Sequence, residues 1–296
     1  MTETKHLGNF ILLFTAFIWG MAFAFQSKGA DVLPPFTFTA SRMSLAAVAT
    51  IAVCIILDKR AGTGKEKKGS TYQKTTLKAG LFCGLAMLGG VIFQQIGIGY
   101  TTAGKAGFIT ALYILIVPLA STLILHKAPG LRIWVAVIAG LIGMYLLCMG
   151  SPEGINPGDI YVMLCALFFS VQIMLIDHFS GSADPVKIAA IEFTVISLIC
   201  WIVAFIFEKP DPAAFKTALV PILYCGLISG GLGYTLQIVG QRYTDPTSAS
   251  LCMSFEAVFA VLGGALLLGQ HMSTRELVGS AIMFIAIVIV QLPDKK

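Results

Sequence analysis

Ten apolar stretches occupy almost the whole chain, and the second five echo the first five. They lie at about residues 9–27, 34–57, 77–99, 104–125, 131–149, 159–177, 186–207, 216–239, 246–268 and 274–291. A helix of roughly 20 apolar residues crosses a bilayer core of about 30 Å, and most of these runs approach that length. They are too long, and alternate too little, for the strands of a membrane barrel. Five is an odd number of crossings, so a repeated half must enter the membrane from the opposite side. The expected fold is an all-α membrane protein with ten transmembrane helices in two inverted five-helix repeats, residues 1–150 (spans 1–5) and 151–296 (spans 6–10). Inverted repeats around a site near the bilayer midplane are the architecture of many secondary transporters.

Composition removes the competing classes. Only 12% of residues are Asp, Glu, Lys or Arg, against about 25% in soluble domains. The first run is too long for the core of a signal peptide and reads as a span. All seven cysteines fall within spans without a C-x-x-C spacing, which points to packing rather than to a disulfide or a metal site. His6 lies in the N-terminal tail, and His126, His178 and His271 stand at span ends without metal-ligand spacing. No metal and no cofactor is expected. No phosphate-binding G-x-x-x-x-G-K-[ST] loop occurs, so transport must draw on a gradient rather than on ATP.

Charge gives the orientation. With the N-terminus placed in the cytoplasm, 14 of the 20 Lys and Arg fall in cytoplasmic segments, five fall outside, and Arg42 lies within a span. Positive residues concentrate on the cytoplasmic side, so both termini are expected inside a cytoplasmic (inner) cell membrane. The basic loop between Asp58 and Lys78 reads as this topology signal lying against anionic lipid, not as a nucleic-acid patch.

The repeat is legible residue by residue. At an offset of 143, Gly90 meets Gly233, Gln94 meets Gln237, Tyr100-Thr101 meets Tyr243-Thr244, and Arg132 meets Arg275. At an offset of 150, Gly8 meets Gly158, Pro35 meets Pro185, and Arg42 faces Glu192.

Ionisable groups inside spans are expensive and functional by default. Glu256, near the middle of the ninth span, is expected to couple protons or bind a cation. Arg42 and Glu192, at matching places in the second and seventh spans, are expected to couple or gate. Gln94, Gln95 and Gln237 offer amide donors and acceptors for a polar substrate. Trp19, Tyr113 and Tyr234 are placed to line a cavity and stack on a substrate. Gly80-x-x-x-Gly84 and Gly226-x-x-x-Gly230 allow close helix approach, and Pro118, which removes a helix hydrogen bond, is placed to kink the fourth span.

The chain resembles the drug/metabolite transporter superfamily in its ten-helix EamA-type branch. The resemblance rests on Trp19-Gly20, on the run from Tyr100 to Tyr113 followed by Pro118, and on the run from Ser254 to Gly269. This chain departs from the pattern at Ala257-Val258, where a proline-bearing pair is usual, and at Gln270, where a Glu is usual. The resemblance implies an inner-membrane carrier, usually an exporter of amino acids, metabolites or drugs.

The function expected from these residues is secondary transport of a small organic solute, with export of amino acids or related metabolites by proton exchange as the leading form. A cationic drug exporter and an uncoupled facilitator are the alternatives. A passive pore lacks a charge ring or carbonyl filter. An intramembrane enzyme is a remote alternative: Gly226 to Gly230 loosely resembles a serine-protease motif, yet no histidine sits in a span to activate Ser229. No catalytic residue is expected. The expected partners are the solute, the bilayer and protons, with no nucleic acid and a monomer or homodimer.

Overall fold

The computed structural model describes residues 2–61, 69–125, 130–148, 156–269 and 273–291, and these are helical throughout apart from short connections. Gln270, His126, His271 and residues 62–68 of the basic loop lie outside the described residues. Eight helical segments are long and apolar enough to cross a membrane. The chain is therefore a multi-pass membrane protein.

Helices α1 (Thr2–Ala30), α2 (Pro35–Ala61) and α3 (Ser70–Ile98) are continuous. The fourth span is broken into α4 (Ala103–Thr110) and α5 (Tyr113–Leu125). Helix α6 (Leu131–Cys148) follows, then α7 (Pro157–Phe179) and α8 (Pro185–Val203), which ends in a π-helical turn, Ala204–Glu208. After the short α9 (Pro212–Thr217), the next span is assembled from α10 (Leu219–Leu223), a π-helical stretch Tyr224–Tyr234, and α11 (Thr235–Gln241). A second broken span comprises α12 (Pro246–Met253) and α13 (Glu256–Leu268), and α14 (Thr274–Gln291) closes the chain. The eight membrane-length segments do not include α6 and α14, two apolar helices that occupy the positions of the fifth and tenth expected spans and pack on each other.

Local chemistry explains where the helices start. Asn156, Asp184, Asp211 and Asp245 each precede a proline, and each side chain accepts a hydrogen bond from a backbone N–H of the following turn. An Asx cap satisfies an orphan donor, and proline at the first helical position gives up an N–H that had no partner. Asn156 and Asp159 form a reciprocal capping box. Large apolar side chains such as Leu123, Leu131, Phe207 and Leu266 are at least three-quarters exposed, as lipid-facing positions require.

Small residues set the helix spacing inside. A Cβ on Gly20 would collide with Phe259 on α13, so α1 and α13 touch through their backbones. Gly84 lies against the Glu192 backbone on α8, and Gly226 lies against the Arg42 carbonyl on α2. Van der Waals packing of this kind drives helix association where lipid is as apolar as the side chains.

Helices α2 and α8 pack antiparallel and are joined at both ends. At one end the Glu208 carboxylate accepts from the N–H groups of Phe36 and Thr37, at 2.9 and 2.7 Å, and from the Thr37 hydroxyl at 2.8 Å. At the other end Lys187 Nζ lies 2.9 Å from Asp58 Oδ2. Thr37 and Lys187 are 150 positions apart, as are Asp58 and Glu208. Both contacts therefore fall in one antiparallel register.

Candidate functional site

The two broken spans locate the site. Thr110 ends α4 and Tyr113 begins α5; Met253 ends α12 and Glu256 begins α13. Both breaks recur at the 143-residue offset. Pro118 lies inside α5, past the interruption. The breaks at Ala111-Leu112 and Ser254-Phe255 are tight turns in which Leu112 N–H and Ala257 N–H each reach only three residues back. A discontinuous helix frees backbone groups at membrane depth, and this is tolerated where the backbone lines a cavity or is buried in protein.

A narrow cavity of about 20 Å³ lies beside these breaks, room for about one water molecule. One wall is aromatic. Trp19 and Tyr234 meet with ring centres 4.6 Å apart, and Phe169 lies 6.3 Å from Tyr234. Trp19 Nε1 donates to the Ser229 carbonyl at 3.2 Å, which ties α1 to the π-helical stretch. Gly233 is obligatory there, since a Cβ would stand 2.7 Å from Trp19 Nε1.

The other wall is polar. The Tyr113 hydroxyl donates to Glu256 Oε1 at 2.7 Å. Gln94 Nε2 donates to Thr110 Oγ1 at 3.3 Å. Gln237 Nε2 donates to Gln172 Oε1 at 3.2 Å, and Gln172 Nε2 donates to Glu192 Oε1 at 3.4 Å. This chain runs from the cavity to a carboxyl with no exposed surface. Gln26 and Gln237 each keep a buried amide oxygen without a hydrogen-bond partner.

Six of the residues singled out from sequence line this cavity: Trp19, Gln94, Tyr113, Tyr234, Gln237 and Glu256. Three do not. Gln95 donates instead to the Gln26 backbone carbonyl at 3.2 Å. Glu192 stands behind the wall on Gln172. Arg42 is 1% exposed, with its guanidinium carbon 5.7 Å from the centre of the Phe38 ring and Nε and Nη2 unpartnered. Arg42 and Glu192 do not pair. In the α2–α8 register Arg42 is level with Val203 and Glu192 with Val53, about 16 Å apart along the axis at 1.5 Å per residue.

Sequence reasoning missed Gln26 and Gln172. Each is a lone glutamine in an apolar span. That signal was readable, but neither has a glutamine at its repeat-related position.

No group of three or more His, Cys, Asp or Glu that could hold a metal occurs among the described residues.

Comparison with known proteins fits this geometry. The model of the EamA-like transporter family matches residues 6–149 and 156–292, two successive stretches covering nearly the whole chain. An uncharacterized transporter of Archaeoglobus fulgidus is 28% identical over 281 residues, 95% of this chain and 84% of its own length. The uncharacterized transporter YoaV of Bacillus subtilis is 21% identical over 90% of each chain. Protein PecM of Dickeya dadantii is 28% identical over 64% of each chain. A crystal structure at 15% identity superposes over 94% of this chain and 95% of its own with a TM-score of 0.75, which establishes a shared fold.

Proposed function

The chain belongs to the EamA-like transporter family, and from that premise we propose that it is a secondary transporter exporting a small organic solute across the cytoplasmic membrane by exchange for protons. The leading cargo is an amino acid or a related metabolite. One observation carries the reading. Two broken spans meet at a small cavity, and the residues that open their second halves, Tyr113 and Glu256, are hydrogen-bonded to each other at its wall. Broken half-helices at the midplane are where carriers of inverted-repeat design bind substrate and coupling ion.

The carrier is read as ten spans in two inverted repeats, residues 1–150 and 151–296, with both termini cytoplasmic and as a monomer or homodimer. Three observations support the repeat: the family model matches two stretches, the helix breaks recur at the 143-residue offset, and the α2–α8 end contacts recur at the 150-residue offset. The distribution of Lys and Arg supports the orientation.

Within this reading Glu256 carries the exchangeable proton, and Gln94, Gln237, Trp19 and Tyr234 hold the solute. The test is solute counterflow in proteoliposomes enclosing a pH dye, with wild type and Glu256→Gln. Wild type is expected to move solute with a proton signal. The variant is expected to exchange solute without one, or to do neither. Undiminished proton movement in Glu256→Gln refutes the assignment.

A further inference from the structure

Resting on the carrier reading above, we infer that Arg42 is the anchor for a carboxylate on the cargo: one edge of its guanidinium receives the two carboxylate oxygens when the solute is loaded.

Arg42 is 1% exposed, and its Nε and Nη2 atoms are buried without hydrogen-bond partners. These two nitrogens lie on the same edge of the planar guanidinium, and their N–H groups form a fork that matches the oxygens of a carboxylate. Phe38 covers one face of the group and leaves that edge free. A guanidinium is always charged in proteins, and a buried charge is tolerated when it is paired. The membrane-embedded glutamates are engaged elsewhere. Glu208 accepts from Phe36 and Thr37, Glu256 from Tyr113, and Glu192 from Gln172 at another depth of the α2–α8 pair. The edge needs an anion that the described part of the chain does not provide, and a carboxylate on the cargo provides one. A lipid phosphate does not reach a side chain so fully enclosed.

Arg42 packs against the element that forms part of the cavity wall. Gly226 lies against the Arg42 carbonyl, and Gly230 and Gly231 lie against Ala46 one turn further along α2. All three belong to the π-helical stretch Tyr224–Tyr234, which also carries Ser229 and Tyr234 of the cavity lining. The charge of Arg42 is within electrostatic reach of Tyr234 and of Cys165. Cys165 Sγ stands 3.9 Å from Thr110 Oγ1, the group that accepts from Gln94. The wall on this side is therefore one helix thick, with no side chain at three of the positions that face α2. π-helical segments occur frequently at functional sites. The cavity has room for about one water molecule, so a solute enters only as a wall recedes, and retreat of this stretch opens the cavity toward the free edge of Arg42.

The experiment is a binding titration on the full-length protein in detergent with phenylalanine, 3-phenylpropionate and phenethylamine, whose ring suits the aromatic wall of Trp19, Phe169 and Tyr234. Both carboxylates are expected to bind saturably and at least about tenfold tighter than phenethylamine, as a charge-assisted pair requires. Inorganic phosphate, which fits the same fork, is not expected to compete. Arg42→Lys keeps the charge and loses the fork, so it should weaken both carboxylates. Arg42→Met keeps the apolar stem and should erase the carboxylate preference. It should also raise the melting temperature of the ligand-free protein, because an unpaired buried charge is removed; a purely structural guanidinium would lower it and leave the preference intact. Phenethylamine binding as tightly as the carboxylates, no saturable carboxylate binding, competition by phosphate, or an undiminished carboxylate preference in either variant overturns the inference. Counterflow of the same probes in proteoliposomes separates the two claims: carboxylate-selective binding without counterflow refutes the carrier reading alone, and counterflow indifferent to the carboxylate refutes only the role of Arg42.

Discussion

Tyr113 and Glu256 are 143 residues apart in the chain and 2.7 Å apart in space. Each opens the second half of a broken span, and the same offset relates Gln94 to Gln237 across the cavity. Contact between positions related by the repeat offset is what the proposed two-fold relation between halves requires at its axis, with a hydroxyl donor on one side and a carboxyl acceptor on the other.

Replacing Tyr113 by Phe removes the donor and little else. Solute counterflow is expected to fall about tenfold, the equivalent of about 1.4 kcal/mol, because the Glu256 carboxyl loses its orientation. Thermal stability in detergent should change by no more than about 1.5 kcal/mol, the net worth of one hydrogen bond. Unchanged counterflow with Phe at this position would remove Tyr113 from the mechanism.

Gln172 bridges Gln237 and Glu192. Gln172→Leu strands both partners and is expected to cost about 1–3 kcal/mol. Adding Glu192→Leu should cost less than the sum of the single changes, because the second substitution removes an acceptor already orphaned. Additive losses in thermal unfolding of the two single variants and the double variant would show that the chain is not one unit.

The two end contacts of α2 and α8 should differ in strength. Glu208 receives two backbone N–H groups at a helix start and one hydroxyl, whereas Lys187 and Asp58 are 43% and 63% exposed. Glu208→Ala is expected to cost about 1–2 kcal/mol, in the range of a lost helix cap. Asp58→Ala should cost less than about 1 kcal/mol, as for exposed ion pairs. The order of the two melting temperatures checks this, and a reversed order contradicts it.

Gly20→Ala places a methyl against Phe259 and the Glu256 carbonyl. It should destabilise by about 1–3 kcal/mol through overpacking, while Gly69→Ala, with nothing within 4 Å, should stay within about 0.5 kcal/mol. Equal effects in a detergent melt would mean that α1 and α13 separate without loss.

By itself the sequence determined that this chain lives in a membrane and which residues are costly to bury there, and it pointed to positions related between two halves. Those properties are local or compositional: a 20-residue apolar run, an Asx-Pro start, and a carboxyl in mid-span need no knowledge of neighbours. Only the tertiary structure decided who meets whom. It brought six of nine chosen residues to one cavity, sent Gln95 to a backbone carbonyl, and held Arg42 and Glu192 at different depths of the α2–α8 pair. It also broke the fourth span at Ala111-Leu112, ahead of Pro118. It made the eighth span π-helical over Tyr224–Tyr234 while α3, which contains the residues matched to it, stayed α-helical. A π or α ladder, and the face a helix turns to its neighbour, depend on which close-packed backbones must be accommodated. That is a property of the assembled bundle, not of any one segment.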